Sequence, residues 1–345
     1  MSIWKSLLSR SITTAKELAQ FFDVKKGDIE RVTSRYPMRI NPYYLSLIRK
    51  KGDAIYKQSI PDVREIEDVR GVEDPLNEEG LSPVPGLTHK YPDRVLLLVS
   101  SQCAMYCRFC NRKRKVGRAD MVSRKNIDEG ISYIRSNTKV KEVILSGGDP
   151  FILNDRELYQ ILERLRAIPH IEVIRIGTRT PCTLPHRITK RLVNMLKRFH
   201  PIYVVTHFNH PDEITDEASI ACSRLVNAGI PLLSQTVLLK GINDDVGTIK
   251  TLMRRLIRMR VKPYYLFYPD HVKGTAHFWP GVEKGLSIMK GMYGHISGLC
   301  IPYFAIDLTG GGGKIPLMPD YVQKKEGNKW IIKNYKGELF EFILL

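Results

Sequence analysis

Three cysteines, Cys103, Cys107 and Cys110, fall within eight residues in a C-x3-C-x2-C spacing. Close thiolates of this kind can ligate three irons of a 4Fe-4S cluster, whose usual complement is four cysteines. A missing fourth leaves one iron open to an external ligand. The competing reading is a closed structural zinc site, which takes four ligands, often as two separated pairs, and no partner pair appears. The other three cysteines, Cys182, Cys222 and Cys300, are scattered, so six in 345 residues make no disulfide framework. The cluster of three argues for metal ligation in a reducing compartment.

A second chemical element is Asp307-Leu-Thr-Gly310-Gly311-Gly312-Gly313-Lys314. Four glycines allow backbone conformations closed to other residues and expose main-chain N–H groups to a phosphate or a cofactor ring. A lysine amine placed there can bond covalently to an aldehyde cofactor. Alone, the segment reads sooner as a flexible loop with an exposed lysine. It is no nucleotide-binding P-loop, because the G-x4-G-K-[ST] spacing is absent.

These residues need elements to position them. From Arg94 to Tyr268, short apolar runs rich in β-branched residues alternate with segments of helical period, as successive βα units do. Six strands are expected, at 95–99, 143–145, 173–176, 202–205, 232–238 and 264–268. Polar segments follow directly after them: Ser146-Gly147-Gly148-Asp149, Gly177-Thr178-Arg179-Thr180, Thr206-His207-Phe208-Asn209 and Pro269-Asp270. Loops at the C-terminal mouth of a barrel look like this. The expected fold is α/β, a partial (β/α)6 barrel spanning 94–302. Residues 1–93 read as an N-terminal helical cap, with helical patterns at 14–22 and 42–49 and a Pro- and Gly-rich connector at 74–86. Residues 303–345 read as a C-terminal extension ending in a hairpin, 329–332 with 339–343.

Composition bounds the rest. With 43% hydrophobic and 26% charged residues the chain suits a packed core, and no apolar run approaches the about 20 residues of a membrane span. The N-terminus shows no signal-peptide pattern, which predicts a cytoplasmic protein. A net charge of +18 would suit a nucleic-acid partner. Its distribution argues otherwise, since Arg254, Arg255, Arg258 and Arg260 line the wet face of a segment whose apolar residues follow helical spacing. The run Lys113-Arg114-Lys115 reads, at least in part, as a solvated basic loop.

The cysteine spacing, with Phe109 before the last cysteine, resembles the radical S-adenosylmethionine superfamily. That resemblance implies a 4Fe-4S cluster whose open iron chelates S-adenosylmethionine, and a partial barrel of the radical SAM type. Gly147, Gly148 and Asp149 are similar to the stretch that meets the methionyl amino group. Further segments resemble the lysine 2,3-aminomutase family over nearly the whole length: Tyr36 to Ile48, Pro85 to Arg94, Cys103 to Gly117, Thr206 to Pro211 and Asp307 to Pro319. The resemblance implies pyridoxal 5'-phosphate on Lys314, with Tyr91 and Arg94 as cofactor neighbours. It implies Arg112 as the holder of the substrate carboxylate, where a guanidinium can make two parallel hydrogen bonds.

By the same resemblance the reaction moves the 2-amino group of L-lysine to C3, with Asp270 and Asp307 receiving the distal ammonium and a flavodoxin or ferredoxin supplying the electron. Homo-oligomerisation is left open. The zinc site of the best-known members is expected to be missing, because 243–245 carries no cysteine and their longer cysteine-bearing tail has no counterpart. Three rivals remain: a non-catalytic iron-sulfur or zinc-binding module, which explains the cysteines only, an aminomutase acting on a lysine side chain of translation elongation factor P, and a radical enzyme with an RNA substrate. The last gives no reason for Lys314.

Overall fold

A computed structural model describes residues 2–344. All six expected strands form, within a sheet of nine: β1 (Leu87–Tyr91), β2 (Arg94–Ser100), β3 (Glu142–Gly147), β4 (Val173–Gly177), β5 (Ile202–His207), β6 (Leu232–Val237), β7 (Lys262–Phe267), β8 (Tyr303–Leu308) and β9 (Gly313–Pro316). Each strand pairs with the next in sequence. β2 to β8 run parallel, while β1 and β9 pair antiparallel at the two edges. Parallel pairing sends the C-terminal ends of seven strands to one rim, where the loops they feed must meet.

The crossover helices follow from sequence pattern. In Asp155–Arg166, Asn154 and Glu157 form a capping box, and Leu158, Ile161, Leu162 and Leu165 are buried at helical spacing. Each such side chain contributes about 1.5–3 kcal/mol by leaving water. In Val246–Arg258 the buried face is Ile249, Leu252, Met253 and Leu256, while Arg254, Arg255, Arg258 and the following Arg260 are exposed as expected. Among the described residues, no helix is long and apolar enough to cross a membrane.

Three features differ from expectation. β8 is a seventh parallel strand; its six residues include Asp307 and run into glycines, so pairing with β7 makes it a strand more than its own pattern does. The sheet therefore crosses the boundaries anticipated at 93 and 302. At the C-terminus the expected hairpin, β11 (Lys329–Lys333) with β12 (Leu339–Ile343), gains a preceding strand β10 (Val322–Glu326) in a separate antiparallel sheet. In the cap the helical patterns shorten to Ala15–Leu18 and Pro42–Ser46, among six short helices that pack on the barrel rim.

The cap is fastened to the cysteine loop by buried polar bonds. Asn41 donates to the carbonyls of Ala104, at 3.1 Å, and Thr183, at 2.8 Å. The Glu65 carboxylate, in the cap helix Arg64–Glu67, accepts from Arg108 Nε at 2.9 Å, Arg108 Nη2 at 2.5 Å and Lys113 Nζ at 2.5 Å. Lys113 also donates to the carbonyls of Arg108 and Gly274. Burial works to raise the Glu65 carboxyl, yet Arg108 and Lys113 hold it below its usual value. Lys113 is buried rather than solvated, which corrects the reading of this run as a basic loop. Glu65→Ala leaves two buried cations without a partner and should cost about 3–5 kcal/mol. Chemical denaturation of the cofactor-free chain measures it, and a loss below about 1 kcal/mol would refute the triad's role.

Candidate active site

The cysteine loop leaves the C-terminal end of β2. Its three thiols are partly buried. Burial pushes the Cys103 thiol well up, and Cys110 to about 11, so these thiols hold their protons unless a metal replaces them. Among the described residues no three His, Cys, Asp or Glu side chains gather tightly enough to hold one metal ion. Thiolates of a 4Fe-4S cluster each bind a different iron and stand farther apart. The donor set fits that group in a second way: Arg179, two residues after β4, donates from Nη1 to Cys107 Sγ at 2.8 Å, while its buried Nε has no partner among the described residues.

Beside this loop the glycine pair ends β3. Gly147 has φ +125°, and a Cβ there would stand 2.2 Å from the Ser100 carbonyl oxygen; one on Gly148 would stand 2.4 Å from that of Gln102. Only glycine allows so close an approach to the cysteine loop. The Gly148 N–H is spent on Ser100 O and the Asp149 N–H on Gln102 O, which leaves carbonyls to meet a ligand's amino group. Asp149 itself turns away to brace the next loop. Its buried carboxylate accepts from Thr178 Oγ1 at 2.6 Å and from the backbone N–H groups of Phe151, Arg179 and Thr180. Its side chain is a brace for the β4 loop; a direct ligand contact expected of it would have to come from the backbone.

The lysine element lies on β8 and β9. Gly310, Gly311 and Gly313 have positive φ, and the turn they make returns the chain so that Lys314 pairs across from Asp307. The Lys314 ammonium sits 2.9 Å from Asp307 Oδ2, and Lys90 reaches the other oxygen at 2.7 Å. Burial works to raise Asp307, but Lys314 and Lys90 hold it below the usual carboxylate range. Asp270, after β7, is pushed up to about 6 by burial and then by Asp307. Asn111 donates to it at 3.1 Å. The Tyr91 hydroxyl accepts the Lys314 N–H at 3.0 Å, and the Arg94 guanidinium stacks 3.9 Å from the Tyr91 ring centre. Lys314, Tyr91, Arg94, Asp270 and Asp307 thus form one neighbourhood.

Arg112 joins it from the cysteine loop. Its Nε and Nη2 both donate to Glu78 Oε1, at 2.9 and 2.7 Å, and Nη1 donates to Ser146 Oγ at 3.0 Å. The Nε and Nη2 donors that could make a parallel pair with a substrate carboxylate thus converge here on one oxygen of Glu78, a buried carboxylate that needs the cation. Arg114 and Lys115 pair with Asp74, Glu78 and Glu79. The connector bearing these acids also packs on the tetraglycine turn, since Gly310 N donates to Pro75 O at 2.8 Å and a Cβ on Gly311 would lie 2.8 Å from Leu81. One strap touches both chemical loops.

Sequence reasoning missed Glu78 and Arg179. Arg179 lay in a segment flagged as a post-strand loop, which was its only signal. Glu78 sat unmarked in a Pro- and Gly-rich connector.

A radical SAM superfamily model matches residues 97–252, and a lysine-2,3-aminomutase model matches 289–342. L-lysine 2,3-aminomutase of Clostridium subterminale is 47% identical over 97% of this chain and 82% of its own length. The enzyme of the same name from Bacillus subtilis is 44% identical over 98% of this chain and 74% of its own. Glutamate 2,3-aminomutase of Clostridioides difficile is 43% identical over 98% of this chain and 82% of its own. On this likeness the chain belongs to the lysine 2,3-aminomutase family of radical S-adenosylmethionine enzymes.

Proposed function

We propose that this protein moves the 2-amino group of free L-lysine to C3, giving β-lysine. The observation that carries the reading is the meeting of Asp270, Asp307, Lys314 and Arg112 in one neighbourhood, with Asp270 partly buried and, among the described residues, without an ion-pair partner. A lysine substrate has an amino group for the Lys314 position, a carboxylate for Arg112 and a distal ammonium for the aspartates. The ammonium must lose its water on entry, and paired carboxylates offset that cost.

When bound, the 4Fe-4S cluster with S-adenosylmethionine supplies a hydrogen-abstracting radical, and pyridoxal phosphate supplies the aldehyde that accepts the substrate amine. Cys103, Cys107 and Cys110 would hold the cluster, and the carbonyls beside Gly147 and Gly148 would receive the methionyl amine. Lys314 would carry the aldehyde cofactor, with Tyr91 and Arg94 flanking it. Glu78 fixes the Arg112 fork on one edge and leaves Nη1, beside Ser146, for a carboxylate. A flavodoxin or ferredoxin would deliver the electron. Holding the reacting atoms near contact and keeping water from them is what such a radical requires of the residues that line the site.

Anaerobically reconstituted protein given S-adenosylmethionine, pyridoxal phosphate and reductant should convert L-lysine in preference to L-glutamate, and borohydride followed by peptide mapping should place the aldehyde cofactor on Lys314. Preference for glutamate, or turnover confined to a protein-bound lysine, would overturn the assignment. Glu78→Ala frees the Arg112 fork to swing, and the lost charged hydrogen bonds, worth about 1.5–3 kcal/mol, should raise KM for lysine about tenfold or more while kcat falls less. An unchanged KM would show that Arg112 needs no such partner.

The raised Asp270 carboxyl gives a pH signature. Below about 6 Asp270 carries a proton and cannot pair with the ammonium; above it the carboxylate forms. The profile of kcat/KM for lysine should therefore rise with pH through about 6 and then level. Asp270→Asn should lower the plateau about a hundredfold or more, as breaking a buried charge pair does, and abolish that limb. A limb retained in the variant would assign it to another group.

A further inference from the structure

Arg179 stands two residues after β4 with its side chain 8% exposed. Each part of its guanidinium has a distinct environment. Nη2 donates to Gln58 Oε1 and to Glu213 Oε1, both at 2.7 Å. Nη1 donates to Cys107 Sγ at 2.8 Å. Nε is buried with no acceptor among the described residues. The group also lies 5.2 Å from the Phe109 ring centre, inside the C-x3-C-x2-C segment. Its counter-ion is fully buried and pinned in turn: Glu213 accepts from Tyr44 Oη at 2.6 Å, Asn209 N at 2.6 Å and His210 N at 3.0 Å.

A permanent cation is thus fixed against one of the three cysteines, from a different strand, by a network that reaches the cap through Tyr44 and Gln58. An ordinary buried ion pair does not need a sulfur partner, and an orphaned buried N–H is destabilising unless an acceptor arrives. Sulfur atoms of a cluster are acceptors of that kind.

We propose that Arg179 is a positioning residue that sets the reduction potential of the cluster held by Cys103, Cys107 and Cys110. The inference rests on the reading of those cysteines as cluster ligands. Reduction adds one negative charge to the cluster. A positive charge and an N–H donated to a ligand sulfur both favour the reduced form, and in a water-poor interior neither is screened. Glu213 moderates the effect by offsetting part of the charge.

The full-length chain, reconstituted anaerobically with iron and sulfide and without S-adenosylmethionine or pyridoxal phosphate, allows the test. Iron and sulfide per chain are measured first; the reduced cluster is then followed by electron paramagnetic resonance in a mediator titration. The double variant Arg179→Met with Glu213→Gln removes the pair without stranding either charge. At the potential that half-reduces wild type, its reduced-to-oxidised ratio should fall tenfold or more, a negative shift of about 59 mV or more for one electron. Arg179→Lys, which keeps the charge, should shift less. Glu213→Gln alone, which unmasks the arginine, should shift in the positive direction. A purely structural pair would give both losses the same sign. The proposal is overturned if the iron-replete double variant titrates with wild type, if the lysine variant shifts as far as the double variant, or if both arginine variants bind no iron. A wild-type chain that assembles no cluster would instead sink the cofactor reading itself.

Discussion

Moving a charge from water into a protein interior costs several kcal/mol unless a partner meets it, and the cysteine loop carries four such charges between residues 108 and 114. Arg108, Arg112, Lys113 and Arg114 can be folded under the cap only against acids that come from elsewhere in the chain. Glu65 meets two of them and Glu78 meets the other two. The loop that presents the cysteines therefore has no conformation of its own making. Its shape is the one in which cap helix and connector neutralise it, and the positions of Cys107 and Cys110 follow.

The same rule organises the rest of the rim. Asp307 is compensated by Lys90 and Lys314, Arg179 by Glu213, and Asp149 by four hydrogen bonds from two loops. Each acid or base links segments far apart in sequence, so the loops are cross-braced to one another as well as to their own strands. Such bracing adds little net stability, because desolvation consumes most of the Coulombic gain. What it supplies is position, and a site that must keep reactive atoms near contact needs position more than stability.

This explains what sequence could and could not reveal. The strands were legible because burial on a pleated sheet leaves a local pattern: Val95, Leu97, Leu98 and Val99 announce β2. The cysteines and Lys314 were legible because their chemistry depends on close spacing along the chain. Glu65, Glu78 and Glu213 serve cations between 34 and 48 residues away. No periodicity marks such a residue, and in composition it is one more solvated acid. The run Lys113-Arg114-Lys115 misled for the converse reason, since three adjacent cations read as a wet loop until the acids opposite are known. β8 hid because its edge partner β9 lies beyond the tetraglycine turn, where the pattern reads as connector.

The family contains enzymes named for lysine and for glutamate at similar distance from this chain, so overall likeness does not choose between them. Charge at the far end of the substrate does. Burial first, and then the Asp307 charge, already raise the cost of ionising Asp270, whose carboxyl is held near 6. A glutamate side chain would bring a third negative charge to that place, where burial makes like-charge repulsion larger than at a surface. In the proposed binding mode a lysine ammonium would instead supply a cation to Asp270, and its arrival would favour ionisation of that carboxyl. Because Lys90 already occupies one oxygen of Asp307, Asp270 is then the group whose state would change most on binding, and discrimination between the two substrates would concentrate there.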